Sequence, residues 1–179
     1  KEDLLPPRYD VLGFGAIAVD ELLYVDHYPP ADAKVNILSA DRQGGGLTAT
    51  ALVAVTRLGG TAAYAGRLGD DDLSRHAIVA LEREGVDCRL VYRDPDAGPV
   101  HSTIVIDTST GTRNIFADDR RFSGPPMETM TEALVSRCRV LFVDQRVATA
   151  GVAAARHARR LGIPIVADIE RLNGPDVAE

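Results

Sequence analysis

The sequence is poor in aromatic residues and in cysteine, and it contains no tryptophan. Aromatic side chains make up 5 % of its 179 residues, and the formal net charge is −6. Proteins that bind nucleic acid usually carry a basic surface, and those that bind single strands add aromatic side chains on which bases stack. The composition therefore argues against nucleic acid as a partner.

Long apolar runs and a cysteine framework are also missing. No stretch is long enough to cross a membrane, and no charged start followed by an apolar segment marks a secretory signal. The two cysteines, Cys88 and Cys138, lie far apart and show no metal-ligand spacing. We interpret them as reduced, small apolar residues, which favours a cytoplasmic protein.

The chain does have enough apolar residues for a buried core, and its glycines stand in an informative order. Hydrophobic residues make up 45 % of the sequence, which suits one ordinary domain. The glycine triplet 44–46 opens an apolar helix, and Gly59-Gly60 closes it. Glycine lets a backbone approach a ligand closely, and the start of a helix offers unpaired N–H groups. The pattern is typical of a site for a polar small molecule.

Hydrophobic patterning predicts strands that alternate with helices. Buried strands are expected over 10–15, 140–143 and 163–167, and other strands over 21–25, 35–40, 61–65, 88–92, 100–107 and 113–117. Helices are expected over 47–58, 72–84, 127–136 and 148–161. Asp71 or Asp72 is expected to cap the second helix, and Gly85 to end it. Alternation of this kind predicts an α/β fold with a mostly parallel sheet flanked by helices. The segments 21–40 and 100–117 predict a separate small sheet with one solvated face.

Charged side chains follow three of the predicted strands. Asp20 lies just beyond the first strand, where open α/β sheets bind ligands, and its carboxylate could hold two hydroxyl groups or cap a loop. Asp144, Arg146, Asp168 and Glu170 cluster at the ends of two later strands, where each could line a ligand crevice or form a local ion pair, for example with Arg146 or Arg171.

Taken in order, these features resemble the N-terminal part of a ribokinase-like (PfkB-type) carbohydrate kinase. The resemblance is carried by Gly15-Ala16-Ile17-Ala18-Val19-Asp20, Gly45-Gly46 with Thr50, Gly59, Gly66-Arg67-Leu68-Gly69-Asp70, Gly111-Thr112-Arg113 and Asp168-Ile169-Glu170-Arg171. It covers essentially the whole chain and is closest to ketohexokinase-like and related sugar kinases.

The resemblance implies a ribokinase-like fold with a small β-sheet lid. It assigns residues 8–20, 41–99 and 118–179 to the α/β body, and 21–40 and 100–117 to the lid. In that family the lid closes over a sugar or nucleoside and often pairs with the lid of a second subunit, which implies a homodimer. The implied activity is phosphorylation of a hydroxymethyl group, with ATP and Mg²⁺ as cofactors.

The resemblance also implies a set of site residues. Substrate would be bound by Asp20, the backbone of Gly45 and Gly46, Thr50 and Arg113, while Asp168 and Glu170 would lie near the phosphates and Mg²⁺ without direct metal ligation. Two residues depart from the family pattern, because Thr50 replaces the usual Asn and Leu47 stands where relatives often have Lys or Asn. These two departures leave the identity of the sugar undetermined. His101 and Thr103 could line the inner face of the lid or lie at a surface or interface.

The catalytic base of the family is an Asp in the segment Asp-Thr-x-Gly-Ala-Gly-Asp, which this sequence does not contain. We expect that Asp, and most of the adenine pocket, to lie beyond Glu179. The 179 residues alone are accordingly predicted to be inactive, because both the base and the anion-binding helix start are missing.

Three alternatives stay open. The first is a nucleoside kinase of the same family, in which Leu47 and Phe116 would offer an apolar face to the base. The second is a non-catalytic sugar-binding or regulatory module. The third is a dinucleotide-binding enzyme, for which 13–18 (GFGAIA) comes close to the glycine fingerprint, although the residues 19–30 that follow do not have the pattern of a helix.

Overall fold

The computed structural model describes residues 8–170. Its strands are β1 Tyr9–Phe14, β2 Ala18–Val25, β3 Ser39–Gly45, β4 Ala62–Tyr64, β5 Arg67–Leu68, β6 Tyr92–Arg93, β7 Val100–Asp107, β8 Thr112–Asp118, β9 Cys138–Asp144 and β10 Ile165–Asp168. Its α-helices are α1 Leu47–Arg57, α2 Asp72–Arg83, α3 Glu132–Val135 and α4 Ala148–Leu161. Short 3₁₀ turns occupy Met127–Thr129 and Gln145–Val147.

A parallel sheet forms the body of the molecule, with the strand order β10-β9-β1-β4. The central strand β1 buries Leu12 and Phe14 completely. One apolar cluster packs α4 against one face through Ala154 and Ala158, and a second packs α1 and α2 on the other through Leu52 and Leu81. A parallel sheet covered by helices on both faces confirms the α/β architecture expected from the alternating pattern.

Local sequence explains where the first two helices begin and end. The carboxylate of Asp71 accepts a hydrogen bond from the Ser74 backbone N–H at 2.8 Å, so of the two candidates Asp71 is the cap of α2. Such a cap contributes about 1 kcal/mol to helix stability. Gly59 (φ 88°) and Gly85 (φ 84°) follow the ends of α1 and α2 in the left-handed region, which glycine adopts with little strain.

A second sheet has the strand order β3-β2-β7-β8, in which β2 and β7 run parallel and the outer pairs are antiparallel. Asp20 of β2 is paired with Gln43 on one side and with Ser102 on the other. Since side chains alternate along a strand, the residues in register with Asp20 share its face, and the neighbours of those residues lie on the opposite face. This register decides which side chains can meet above the parallel sheet.

The strand expected over 35–40 is wrong, because β3 begins at Ser39 and runs to Gly45. Its position is set by residue-for-residue pairing with β2, from Tyr24 opposite Ser39 to Ala18 opposite Gly45. The apolar residues that suggested the earlier position, such as Ile37, are exposed in the loop that precedes the strand. The second sheet therefore includes residues 18–20 and 41–45, which the sequence had placed in the body.

Two further expectations are corrected. Instead of a strand over 88–92, only Tyr92–Arg93 pairs, with β5. Instead of one helix over 127–136, a 3₁₀ turn precedes the short α3. Thr131 separates them, because its hydroxyl oxygen accepts a hydrogen bond from the Leu134 N–H at 3.2 Å and so starts a new helix.

Candidate functional site

A hollow of about 700 Å³ lies between the second sheet and the carboxyl ends of the parallel strands. Strands β2, β7 and β8 supply one wall, the first turns of α1 supply another, and the ends of β9 and β10 supply the floor. The carboxyl edge of an open parallel sheet is where such folds bind ligands. The hollow therefore coincides with the crevice indicated by the strand order.

Asp20 and Gly45 meet at one end of this hollow. They lie on neighbouring strands, and a Cβ added to Gly45 would be 2.4 Å from the Asp20 Oδ2 atom. A side chain at position 45 would have to displace the carboxylate. Glycine therefore leaves both the Asp20 oxygens and the adjacent backbone accessible from the hollow.

The first turn of α1 adds a polar backbone surface beside Asp20. Its N-cap, Gly46, has φ 99° and makes no side-chain cap, and the first turn contains no acidic residue. A Cβ on Gly46 would approach the Ala16 carbonyl oxygen to 2.5 Å, so the close contact with the β1–β2 corner requires glycine. Leu47 and Thr50 line the hollow from the same turn. The helix start thus presents N–H groups and partial positive charge to a bound hydroxyl or anion.

Charged side chains lie at the other end. Arg146, Asp168 and Glu170 all line the hollow. The Arg146 guanidinium pairs with the Asp119 carboxylate, with 2.6 Å between Nη1 and Oδ2, so the suggested ion pair between Arg146 and its strand-end neighbours gives way to this one. Arg171, the other suggested partner, lies outside the described residues.

An apolar wall connects the two ends. Ile104 of β7 and Ile115 of β8 pair directly across the second sheet and face the hollow, and Phe142 of β9 lies opposite them. Ser102, next to Asp20 in the register, adds a hydroxyl. Sequence reasoning missed these four residues. The alternation of β7 was visible, but its register against β2 sets which residues face Asp20, and nothing local in the sequence determines it.

Several sequence candidates do not reach the hollow. Arg113 shares the face of Asp20 but pairs with Ile106, which is aligned with Tyr24, four residues along β2. At roughly 3.3 Å per residue this places Arg113 ~13 Å beyond Asp20 along the strand. The structure does not bring it among the residues that line the hollow.

His101, Thr103 and Phe116 occupy the opposite face of the second sheet. His101 is paired with Val19, and its Nε2 lies 3.5 Å from a carboxylate oxygen of Glu21. His101 is partly exposed on this face, so it does not line the face turned toward the hollow. Phe116 pairs with Thr103 and is more than half exposed, so it cannot serve the apolar face suggested for a nucleoside.

Asp144 lies beneath the hollow instead of lining it. Its side chain is buried, and its Oδ2 accepts hydrogen bonds from the Ala16 N–H at 2.6 Å and from the Thr48 hydroxyl at 2.8 Å. Burial, together with the nearby Asp144 charge, raises the pKa of Tyr64, whose hydroxyl donates to the Gly15 carbonyl at 2.9 Å. A polar network therefore supports the corner between β1 and β2.

The two cysteines are free and buried. Burial raises the pKa of the Cys88 thiol to about 12 and that of the Cys138 thiol to about 11. Thiols with raised pKa values are poor nucleophiles, so both residues act as small apolar groups of the core.

Among residues 8–170, no helix combines the length and the apolar character needed to cross a bilayer.

The fold and the hollow define the class as an α/β protein with a cavity between a second β-sheet and the carboxyl ends of a parallel sheet. Comparison with known proteins gives the family. The description "pfkB family carbohydrate kinase" matches residues 11–163, and the chain belongs to this family. Its strands, helices and second sheet agree with the ribokinase-like fold of the solved structures that it resembles.

Individual relatives are sugar kinases. Fructokinase-1 of Zea mays is 36 % identical over 80 residues, which cover 43 % of this chain and 23 % of that protein. Ketohexokinase of Mus musculus is 22 % identical over 139 residues, which cover 78 % of this chain and 47 % of that protein. The structure of Arabidopsis thaliana ribokinase complexed with ribose and ATP has a TM-score of 0.72 at 15 % identity, covering 94 % of this chain and 55 % of that one. The chain thus matches about half the length of these relatives or less.

Proposed function

We propose that this chain forms the substrate-binding part of an ATP-dependent sugar kinase that phosphorylates a hydroxymethyl group. The observation that carries the proposal is the close approach of Asp20 to Gly45 at the edge of the hollow. A carboxylate can accept hydrogen bonds from two neighbouring hydroxyls, and a bare backbone beside it can approach a polyol closely. The catalytic base is proposed to come from a part of the protein outside these residues.

The other polar groups of the hollow fit the same ligand. The hydroxyls of Thr50 and Ser102 both donate and accept hydrogen bonds, and they flank Asp20 from α1 and β7. The backbone of Gly45 and Gly46 completes a ring of hydrogen-bonding groups. Curated fructokinases are among the relatives that match at 36 % identity or more, so D-fructose is the first sugar to test.

Closure of the second sheet over the hollow is proposed to exclude water. The apolar side chains of Ile104 and Ile115 would then cover the bound sugar, so that phosphate is transferred to the sugar instead of to solvent. Both residues already face the hollow. In this role the second sheet is the lid that the family resemblance implies.

The charged end of the hollow suits the nucleotide side of the reaction. When bound, ATP supplies the phosphoryl group and Mg²⁺ neutralises charge on its phosphates. Asp168 and Glu170 offer carboxylate oxygens, which Mg²⁺ accepts either directly or through water. In line with the family resemblance, we assign these two residues a water-mediated role.

A nucleoside is the second candidate substrate. The apolar wall formed by Ile104, Ile115 and Phe142, with Leu47 across from it, could accommodate a base. This differs from the wall suggested by the sequence, because Phe116 lies on the far face. An apolar wall opposite a hydroxyl-binding carboxylate is the specific observation that favours this alternative.

We also propose a homodimer through the second sheet in a cytoplasmic protein. Phe116 is 56 % exposed on the face turned away from the hollow, and Ile37 and Leu38 are exposed beside the edge strand β3. Exposed apolar side chains near a sheet edge are a common interaction surface. Sedimentation measurements that give only monomer at micromolar concentration would contradict this part of the proposal.

The function is tested by thermal shift with D-fructose, D-ribose and adenosine, each at millimolar concentration. We expect one of the sugars to raise the melting temperature, and Asp20→Asn to remove the shift. Glu21→Gln is the matched control, because Glu21 is the next residue on β2 and its carboxylate faces away from the hollow toward Arg42. A stabilising shift with adenosine but with neither sugar would favour the nucleoside alternative, and no shift with any of the three would contradict the proposal.

A further inference from the structure

Asp144 carries a buried carboxylate whose hydrogen-bond donors are backbone N–H groups and a hydroxyl group. It ends β9 and is 3 % exposed. Besides the bonds from Ala16 and Thr48, its Oδ1 accepts a hydrogen bond from the Arg146 backbone N–H at 2.9 Å. Burying a charge is unfavourable unless its oxygens are hydrogen-bonded, so these three donors are needed to keep it there.

The donors come from three separate elements. Ala16 lies at the corner between β1 and β2, Thr48 lies in the first turn of α1, and Arg146 follows β9. Ala16 makes a second contact with α1, because its carbonyl oxygen accepts a hydrogen bond from the Ala49 N–H at 3.2 Å. The carboxylate therefore joins the corner and the helix start to the end of β9.

The packing around this junction is tight. A Cβ added to Gly15 would lie 2.2 Å from Asp144 Oδ2 and 2.0 Å from the Thr48 hydroxyl oxygen. Only glycine at position 15 leaves room for the carboxylate to reach both donors. The corner is therefore closely packed against this carboxylate.

The junction lies between the two ends of the hollow. On one side, β2 and α1 lead directly to Asp20 and to Gly45–Gly46, which β-pairing already holds together. On the other side, Asp144 is paired with Asp168 across β9 and β10. Asp144 itself is not among the residues that line the hollow.

We propose that Asp144 is a positioning residue for sugar binding, because its carboxylate fixes the Asp20–Gly45 pair relative to the end of the hollow formed by Asp168. This inference rests on the proposed function for its ligand, although the positioning itself does not depend on a ligand. The helix start also gains an anionic partner from β9, which its glycine N-cap does not supply.

The first test is amide hydrogen exchange, measured by mass spectrometry on the chain without sugar. Asp144→Asn is expected to raise exchange in the segments 14–20 and 44–50, because an amide offers one acceptor oxygen where the carboxylate offers two. Asp87→Asn is the control. Its carboxylate is also mostly buried, but it bonds Tyr9 at the opposite end of β1. Exchange in both segments equal to that of the control would overturn the inference.

The second test is the dissociation constant for D-fructose or D-ribose, measured by calorimetry well below the melting temperature. Asp144→Asn should weaken sugar binding about tenfold or more, because the site loses a hydrogen bond to the charged carboxylate that orients it. Asp87→Asn should bind as the unaltered chain does. Weaker binding without any change in exchange would show direct contact with sugar, and would overturn the positioning role.

Substitutions at Thr48 test the same junction without changing Asp144 itself. Thr48→Val replaces the hydroxyl with a methyl group of similar size, while Thr48→Ser retains the hydroxyl. We expect Thr48→Val to raise amide exchange in the segments 14–20 and 44–50 and to weaken sugar binding. Thr48→Ser should behave as the unaltered chain does in both measurements. Equal behaviour of the two variants would contradict the inference. If the unaltered chain bound neither sugar, the proposed function would fail, and the exchange measurements would still decide the role of Asp144.

Discussion

The Asp20 carboxylate lies against Gly45 so closely that a Cβ at position 45 would be 2.4 Å from its Oδ2 atom. Asp20 is the third residue of β2, and Gly45 is the last residue of β3. Antiparallel pairing of β2 with β3 brings them together. The contact lies at the edge of the hollow, and the proposed function assigns it to sugar binding.

Gly45→Ala should weaken sugar binding by tenfold or more, because the new methyl group would push the Asp20 carboxylate out of place. Calorimetry with D-fructose or D-ribose measures the effect. Gly59→Ala is the control: a Cβ there meets nothing within 4 Å, although the residue has φ 88°. It should cost about 1 kcal/mol of stability through its backbone conformation and leave the affinity unchanged. Equal affinity of the two variants would argue against a tight contact at position 45.

Arg113→Ala should change sugar affinity by less than about twofold, well under the 1.4 kcal/mol that corresponds to a tenfold change. The register places Arg113 four residues along the strand from the level of Asp20, beside Ile106. Calorimetry under the same conditions checks this. A loss comparable to that of Asp20→Asn would instead mean that the second sheet moves far enough to bring the guanidinium onto the sugar.

Tyr64→Phe should destabilise the fold by about 1–2 kcal/mol without changing the backbone. Tyr64 is completely buried, and its hydroxyl is a hydrogen-bond donor to the Gly15 carbonyl. Removing the donor leaves that buried carbonyl without this partner. Urea unfolding followed by circular dichroism measures the loss, and an unchanged midpoint would show that the hydroxyl contributes nothing to the β1–β2 corner.

Asp87→Asn should reduce stability at pH 7 and make stability less sensitive to acid. The hydrogen bond from Arg89, supported by one from Tyr9, holds the pKa of the Asp87 carboxyl well below its usual range. A carboxyl with a lowered folded-state pKa stabilises the protein above its unfolded-state pKa of about 3.9, and this contribution is lost as the pH falls further. Because Arg89 is exposed, we expect about 1 kcal/mol at pH 7.

Urea titrations at pH 7 and pH 3 check this prediction. The free energy of unfolding of the variant should lie below that of the unaltered chain at pH 7, and the difference should be smaller at pH 3, because the contribution of Asp87 is lost as the pH falls from its unfolded-state pKa toward its lower folded-state pKa. A difference that grows as the pH falls would contradict the assigned sign of the pKa change.

Much of the fold follows from local patterns in the sequence. The buried run that forms β1, the start of helix α1 after the glycine triplet and the Asp71 cap of α2 each depend on neighbouring residues, and the structure confirms them. Strand β3 could not be found in this way. Its residues, SADRQGG, are mostly polar, and they form a strand because β2 pairs with them.

In the candidate site, too, some residues could be identified from local sequence and others depend on pairing between strands. Asp20 and the glycine pair could be identified because strand ends and helix starts are recognisable from sequence. Ile104 and Ile115 could not, since their facing depends on register between strands that are far apart in the chain. The inward bonds of Asp144 join residues separated by 128 and 96 positions, and no local pattern reports contacts of that kind.

The central claim is that the Asp20 carboxylate and the adjacent Gly45–Gly46 backbone bind the hydroxyls of a sugar. The most direct measurement is a crystal structure of the chain grown with a saturating concentration of the sugar that gives the larger thermal shift. We predict two neighbouring sugar hydroxyls within hydrogen-bond distance of the Asp20 oxygens, with the sugar ring beneath Ile104. A sugar bound elsewhere, or one in the hollow that leaves Asp20 without a hydroxyl partner, would contradict the account.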